Sequence, residues 1–152
     1  MTYKLFGLPT HILVIHLVVV GIPVAALATV AMAVRPPWRS GRISLIIIAV
    51  DALAVIGTWI ARASGLEFLK NAPGLRTLRP VIDHKNLGLT LIWYVLGLLV
   101  AAILLVLAEK YERPPLTTVF AIIAAAAAVA AVVQTVRVGD AGARATWSGF
   151  IR

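Results

Sequence analysis

The sequence predicts an all-α protein that crosses a membrane as a bundle of four helices, with both termini on the same side. Three observations predict this class: an excess of apolar residues, long gaps between charged residues, and prolines that separate the gaps. Of the 152 residues, 61% are hydrophobic, whereas a soluble domain has about 45–50% apolar residues. Lipid is the usual surrounding for such an excess.

Charged residues interrupt the chain at intervals that match the thickness of a bilayer. Residues 5–34, 86–108 and 114–136 contain no Asp, Glu, Lys or Arg, and residues 43–61 contain only Asp51. About 20 apolar residues are needed for a helix to cross a hydrocarbon core of about 30 Å. Since backbone groups in lipid must be satisfied internally, each gap predicts a helix. The alternating pattern of a transmembrane barrel is missing.

Helix-breaking residues bound the predicted spans. Prolines follow the first span and precede the fourth, and Pro23 should kink the first. Asp83 is expected to cap the third helix by accepting from its free amides. The chain is interpreted as one membrane domain, 1–152, with an interfacial tail at 138–152 in which Trp147 and Phe150 could re-enter the headgroup zone. The predicted helices cover residues 9–34, 42–63, 84–109 and 115–136.

The basic residues indicate an orientation rather than a nucleic-acid partner. There are 14 Lys and Arg against 6 Asp and Glu, which gives a net charge of +8. Nine of the basic residues fall on the side of the termini and of loop 64–83, and five fall on the other side. The positive-inside tendency therefore predicts a multi-pass protein of the cell membrane with both termini in the cytoplasm.

Several chemistries are excluded by what the sequence lacks. Cysteine is absent, which excludes disulfides, thiolate metal sites and a cysteine nucleophile. No Walker loop, HExxH, GxSxG or dinucleotide fingerprint occurs. We therefore assign no catalytic residue, and a non-enzymatic protein is favoured.

Asp51 is a carboxyl group near the middle of the second predicted span. A charge at that depth is costly, so the group should be protonated or paired. The only cationic partner at such depth would be a histidine. Asp51 is either a proton or ligand site or one half of an interhelical hydrogen bond that locks the bundle.

Three histidines gather near one side of the membrane. His11 and His16 lie in the first turns of the first helix, and His84 opens the third. Five residues turn a helix by about 140°, so His11 and His16 do not share a face, and His16 lies roughly 10 Å deeper than the helix start. Neutral imidazole is a common ligand of haem iron and divalent metals. These three residues are the candidate haem or metal ligands, although their spacing is not a metal-binding motif.

Other polar and small residues suggest how the helices pack. Polar side chains at a depth similar to that of His16 could form a buried polar layer, and the aromatic ones among them could equally belong to the aromatic belt. Alanines fill much of 124–131, and Gly97 with Ala101 forms a small-xxx-small pair. Generic alanine-rich packing is the simpler interpretation. The polar-layer candidates are Thr58, Thr90, Trp93, Tyr94 and Gln134.

Three segments carry a family resemblance: Leu8-Pro9-Thr10-His11 with His16, then His84-Lys85-Asn86, then the tail from Gly139 to Trp147. The chain resembles the bacterial membrane family catalogued as domain of unknown function 2231. The resemblance implies a four-helix membrane domain, and some members carry an added Rieske-type ferredoxin domain, which hints at electron transfer. It also implies that His11, His16 and His84 match recurring family histidines, whereas Asp140 stands where a fourth histidine often follows the tail glycine.

Three functions follow as expectations. The first is an accessory or structural subunit of a larger membrane complex, possibly respiratory, with the lipid bilayer and other subunits or further copies of the chain as partners. The second is a small electron-transfer protein that binds haem b through two of the three histidines. The third is proton or small-solute passage centred on Asp51 and His16.

Overall fold

Residues 4–5 and 8–147 are described by a computed structural model, and within them four helices are long and apolar enough to cross a membrane. The predicted all-helical fold class is thereby confirmed. A two-residue antiparallel pair, β1 Lys4–Leu5 with β2 Leu8–Pro9, precedes the first helix. Short 3-10 turns cover Pro36–Trp38 and Pro73–Leu75. The helices are α1 Thr10–Val34, α2 Gly41–Lys70, α3 Arg79–Lys110 and α4 Pro114–Trp147.

Helices α2 and α3 extend further toward the loop between them than the apolar gaps predicted. The extensions carry charged pairs one helical turn apart, such as Lys70 with Glu67 at 3.3 Å. Helix α3 begins at Arg79, and its N-cap position is Leu78, which makes no side-chain cap. The prediction that Asp83 caps this helix was therefore wrong. Asp83 lies inside α3 and pairs with Arg79 at 3.2 Å.

Helix α4 also continues through most of the predicted interfacial tail. It is helical as far as Trp147, so the predicted end of the fourth helix at 136 was wrong. The interfacial position of the tail, 138–152, stays a prediction. Ala141 stays buried, and Arg144 pairs with Asp140 at 2.9 Å. The helix therefore continues through Gly139 and Gly142. Phe150 lies outside the described residues.

The helices pack in the cyclic order α1, α2, α3, α4, so α1 and α3 lie diagonally opposite each other. The core has two parts, one around Ile22, Val95 and Leu98 and the other around Met32 and Leu105. Many large apolar side chains point outward, as expected of helices that face lipid. The molecule therefore buries alanines and a few large apolar side chains between the helices and presents the other large ones to the bilayer.

Alanines form the close contact of α4 with its neighbours. Ala124, Ala128 and Ala131 are at most 2% exposed, and their spacing places them on one face of α4. Ala101 of α3 is buried as well, but Gly97 is exposed, and a Cβ built on it meets no atom within 4 Å. The interface is thus alanine-rich packing and does not use Gly97 and Ala101 as a pair.

Arg39 holds the end of the bundle opposite to the histidines. Its guanidinium donates to the carbonyl oxygens of Ala33 at 2.6 Å and Met32 at 3.3 Å, which lie at the end of α1. It also pairs with Glu109 of α3 at 3.3 Å, and its side chain is only 14% exposed. One residue therefore satisfies two of the last four carbonyls of α1 and links them to α3.

Candidate functional site

Two of the predicted histidines, His11 and His84, meet inside the bundle although they lie on diagonally opposite helices. Their ring centroids are 6.1 Å apart, and the ring planes are inclined by 67°. Both side chains are partly buried. The first turns of α1 and α3 start on the same side of the bundle, which brings the two imidazoles to one depth.

His11 is fixed by α2. Its Nδ1 lies 3.0 Å from the carbonyl oxygen of Ala61. Gly65, one turn further along α2, lies against the ring, since a Cβ built there would stand 2.9 Å from Cε1 and 3.0 Å from Nδ1. Only glycine leaves this room at position 65 while the ring keeps its hydrogen bond.

His84 is fixed by α4 in the same way. Its Nδ1 lies 3.0 Å from the carbonyl oxygen of Val138. Gly142 lies one turn beyond Val138, and a Cβ built on it would stand 3.0 Å from Cε1 and 3.1 Å from Nδ1 of the ring. The pair α1–α2 and the pair α3–α4 therefore follow the same arrangement. The first helix of each pair supplies a histidine, and the second supplies a carbonyl acceptor and, four residues later, a glycine.

The hydrogen bonds decide which ring nitrogen is available. A carbonyl oxygen only accepts, so each Nδ1 must carry the proton and donate it. In the neutral ring, Nε2 then keeps its lone pair and can accept a proton or bind a metal ion. A histidine that binds a metal usually donates its other N–H to a carbonyl or carboxylate, which fixes the ring orientation. Both imidazoles are arranged in this manner.

His16 is not part of this pair. It is exposed on α1, and its Nδ1 donates to the carbonyl oxygen of Ile12 in the same helix at 2.6 Å. The rotation of about 140° between His11 and His16 accounts for the separation, because only one of them can face the bundle interior. Of the three predicted ligands, the structure thus brings together His11 and His84.

Asp51 lies in the other half of the bundle and is fully buried. Its Oδ2 accepts a hydrogen bond of 2.8 Å from Thr29 of α1, whereas its Oδ1 has no partner among the described residues. Ten residues of α2 separate Asp51 from Ala61, a rise of about 15 Å. The carboxyl group therefore makes the interhelical hydrogen bond anticipated from the sequence, far from the histidine pair.

The predicted polar layer is only partly formed. Gln134 of α4 is buried and donates to Thr90 at 2.9 Å and to the carbonyl oxygen of Leu87 at 3.1 Å, both in α3. Thr58 instead donates to the carbonyl oxygen of Ala54 in its own helix. The two aromatic candidates, Trp93 and Tyr94, are 68% and 38% exposed, so they face outward. The layer reduces to a polar link between α3 and α4.

Sequence reasoning missed the two glycines beneath the imidazoles. A weak pattern could have revealed them, because His11 precedes Gly65 by 54 residues and His84 precedes Gly142 by 58. The similar spacing suggests that each half of the chain is a helix hairpin built on one plan.

The fold and the site define the class of protein. A chain whose described part consists almost entirely of four long apolar helices is a multi-pass membrane protein. It belongs to the family described as "Predicted membrane protein (DUF2231)", whose model matches residues 7–152, which confirms the resemblance seen in the sequence. No curated protein and no solved structure matches the chain.

Proposed function

We propose that the chain is a small b-type haem protein of the membrane, in which His11 and His84 hold the haem. The group would supply one-electron transfer, and the helices would supply its ligands and its apolar surroundings. The observation that carries the proposal is the contact between two imidazoles of diagonally opposite helices at 6.1 Å between centroids.

The distance between the rings of His11 and His84 is compatible with both imidazoles binding one metal ion. A bond from a metal to an imidazole nitrogen is about 2 Å long, and the ring adds roughly 1 Å to its centroid. Two imidazoles that bind one ion therefore have centroids up to about 6 Å apart, and those of His11 and His84 are 6.1 Å apart. The hydrogen bonds from their Nδ1 atoms to Ala61 and Val138 leave both Nε2 atoms available.

The number of ligands favours haem over a bare metal ion. Zinc in a structural site takes four protein ligands and in a catalytic site three. No group of three or more His, Cys, Asp or Glu residues that could hold a metal ion occurs in the described part of the chain. Haem brings four nitrogen ligands of its own, so His11 and His84 would suffice as its protein ligands.

The test is an absorption spectrum of the pure full-length protein after expression with ample haem. We expect the reduced protein to show the Soret and α bands of a low-spin haem, and His11→Ala and His84→Ala each to lose them. His16→Ala is the matched control, since His16 is exposed and bonded within its own helix, and it should keep the spectrum. A flat Soret region in the wild type, or bands that survive both His11→Ala and His84→Ala, contradicts the proposal.

The other two expected functions stay predictions. A role as an accessory subunit is compatible with haem binding, because a membrane electron carrier needs a donor and an acceptor nearby. Passage of protons or solutes centred on Asp51 and His16 is less favoured. Asp51 accepts a hydrogen bond from Thr29, whereas His16 bonds Ile12 in its own helix. Thr29 and His16 are thirteen residues apart in α1, a rise of about 20 Å, so Asp51 lies far from His16.

A further inference from the structure

A groove lies where α2 ends and α3 begins, at the end of the bundle that carries His84. Its volume is about 310 Å³. One wall is aliphatic and comes from the last turns of α2 and the first turns of α3. The aliphatic residues are Leu66, Leu69, Val81 and Ile82.

Three cations complete the groove: Lys70, Arg76 and Lys85. The only acidic partner of these three among the described residues is Glu67, which pairs with Lys70 at 3.3 Å. Over residues 62–85 the sequence has five basic and two acidic side chains, a net charge of +3. The mouth of the groove is therefore positive.

Two of these cations have donors to spare. Arg76 uses Nε and Nη2 to donate to the carbonyl oxygens of Leu69 and Lys70, at 2.7 Å and 2.8 Å, which fixes its guanidinium at the end of α2. Its Nη1 makes no hydrogen bond within the described part of the chain. The half-buried Lys85 makes no hydrogen bond or ion pair with any described residue.

We propose that this groove binds one anionic phospholipid, with the headgroup phosphate on Arg76 and Lys85 and the acyl chains along the aliphatic wall. Basic pockets at the ends of transmembrane helices are suited to such headgroups. The aliphatic wall distinguishes a lipid from a free phosphate ion, because a soluble phosphate would gain nothing from it. The proposal does not depend on haem binding.

The test uses the purified full chain in mild detergent, titrated with phosphatidylglycerol or phosphatidylcholine of the same acyl chains. Native mass spectrometry counts the lipids that stay bound. We expect the wild type to retain phosphatidylglycerol preferentially and Lys85→Gln to lower that retention roughly fivefold, with phosphatidylcholine unchanged. Since Lys85 bonds no described residue, this variant should keep its fold, which circular dichroism verifies.

Two further variants and a soluble competitor sharpen the result. Arg42→Gln removes an exposed cation at the opposite end of α2, so phosphatidylglycerol retention should not change. Ile82→Trp fills the groove without changing its charge and should also release the lipid. Equal retention of both lipids by the wild type, or full phosphatidylglycerol retention by Lys85→Gln, overturns the proposal. Displacement of the lipid by glycerol phosphate at equal concentration would show a free phosphate site and overturns it as well.

Discussion

An alanine at position 65 would place its Cβ 2.9 Å from Cε1 and 3.0 Å from Nδ1 of His11. Contacts between carbon atoms are most favourable at about 3.5–4.0 Å, so one of the two groups must move. The backbone of α2 is held by its helix, which leaves the imidazole to give way. The ring cannot turn far without losing the 3.0 Å hydrogen bond between its Nδ1 and the carbonyl oxygen of Ala61.

The expected change in stability combines two opposing effects. Replacing glycine by alanine inside a helix stabilises it by about 1 kcal/mol. Leaving the Nδ1 donor of His11 buried without its acceptor costs about 1–3 kcal/mol. Gly65→Ala should therefore change the free energy of unfolding by about 0 to −2 kcal/mol. Gly97→Ala is the matched control, because a Cβ there meets no atom within 4 Å. This variant should raise the free energy of unfolding by about 1 kcal/mol.

Thermal unfolding in mild detergent measures this difference, and the absorption spectrum reports on the histidine itself. If His11 holds haem, Gly65→Ala should weaken or shift the reduced spectrum, whereas Gly97→Ala should leave it unchanged. The reasoning is refuted if Gly65→Ala is as stable as Gly97→Ala and has the wild-type spectrum. That outcome would mean that the ring of His11 is not fixed against α2.

Three further substitutions test other contacts by thermal unfolding. Thr29→Val removes the hydrogen bond to Asp51 and should lower the free energy of unfolding by about 1–2 kcal/mol. Thr58→Val should lower it less, because the hydroxyl of Thr58 bonds only its own helix. Gln134→Leu removes the polar link between α3 and α4 and should cost about 1 kcal/mol; a gain in stability would show that the link is dispensable. Arg39→Gln should lower the free energy of unfolding by about 2–3 kcal/mol, because the carbonyl oxygens of Met32 and Ala33 lose their donor. Arg39→Lys should be nearly as destabilised, because lysine lacks the planar fork of donors.

The number and positions of the membrane spans could be predicted because lipid imposes a simple rule. Long uncharged stretches must be helical in a bilayer, and 5–34, 86–108 and 114–136 are such stretches. Helix ends followed a different rule. Outside the hydrocarbon core a helix can continue through charged residues, as α3 does at Arg79 and Asp83, so the loss of hydrophobicity did not mark where the helix stops.

The histidine pair was only half predictable. Counting along the helices placed His11 and His84 near the same side of the membrane, and the turn of the helix separated His11 from His16. Which histidine faces inward depends on the rotation of each helix within the bundle. That rotation is set by packing between α1 and its neighbours, for example Val18 against Gly57, and no local pattern encodes it.

The position of each imidazole is fixed within its own hairpin, which has a consequence for how the molecule assembles. His11 takes its support from α2 and His84 from α4, through contacts that need only one half of the chain. The contact between the two rings, by contrast, exists only once the hairpins have docked. The support of each imidazole is therefore local to its hairpin, whereas the pairing of the two rings depends on how the hairpins dock.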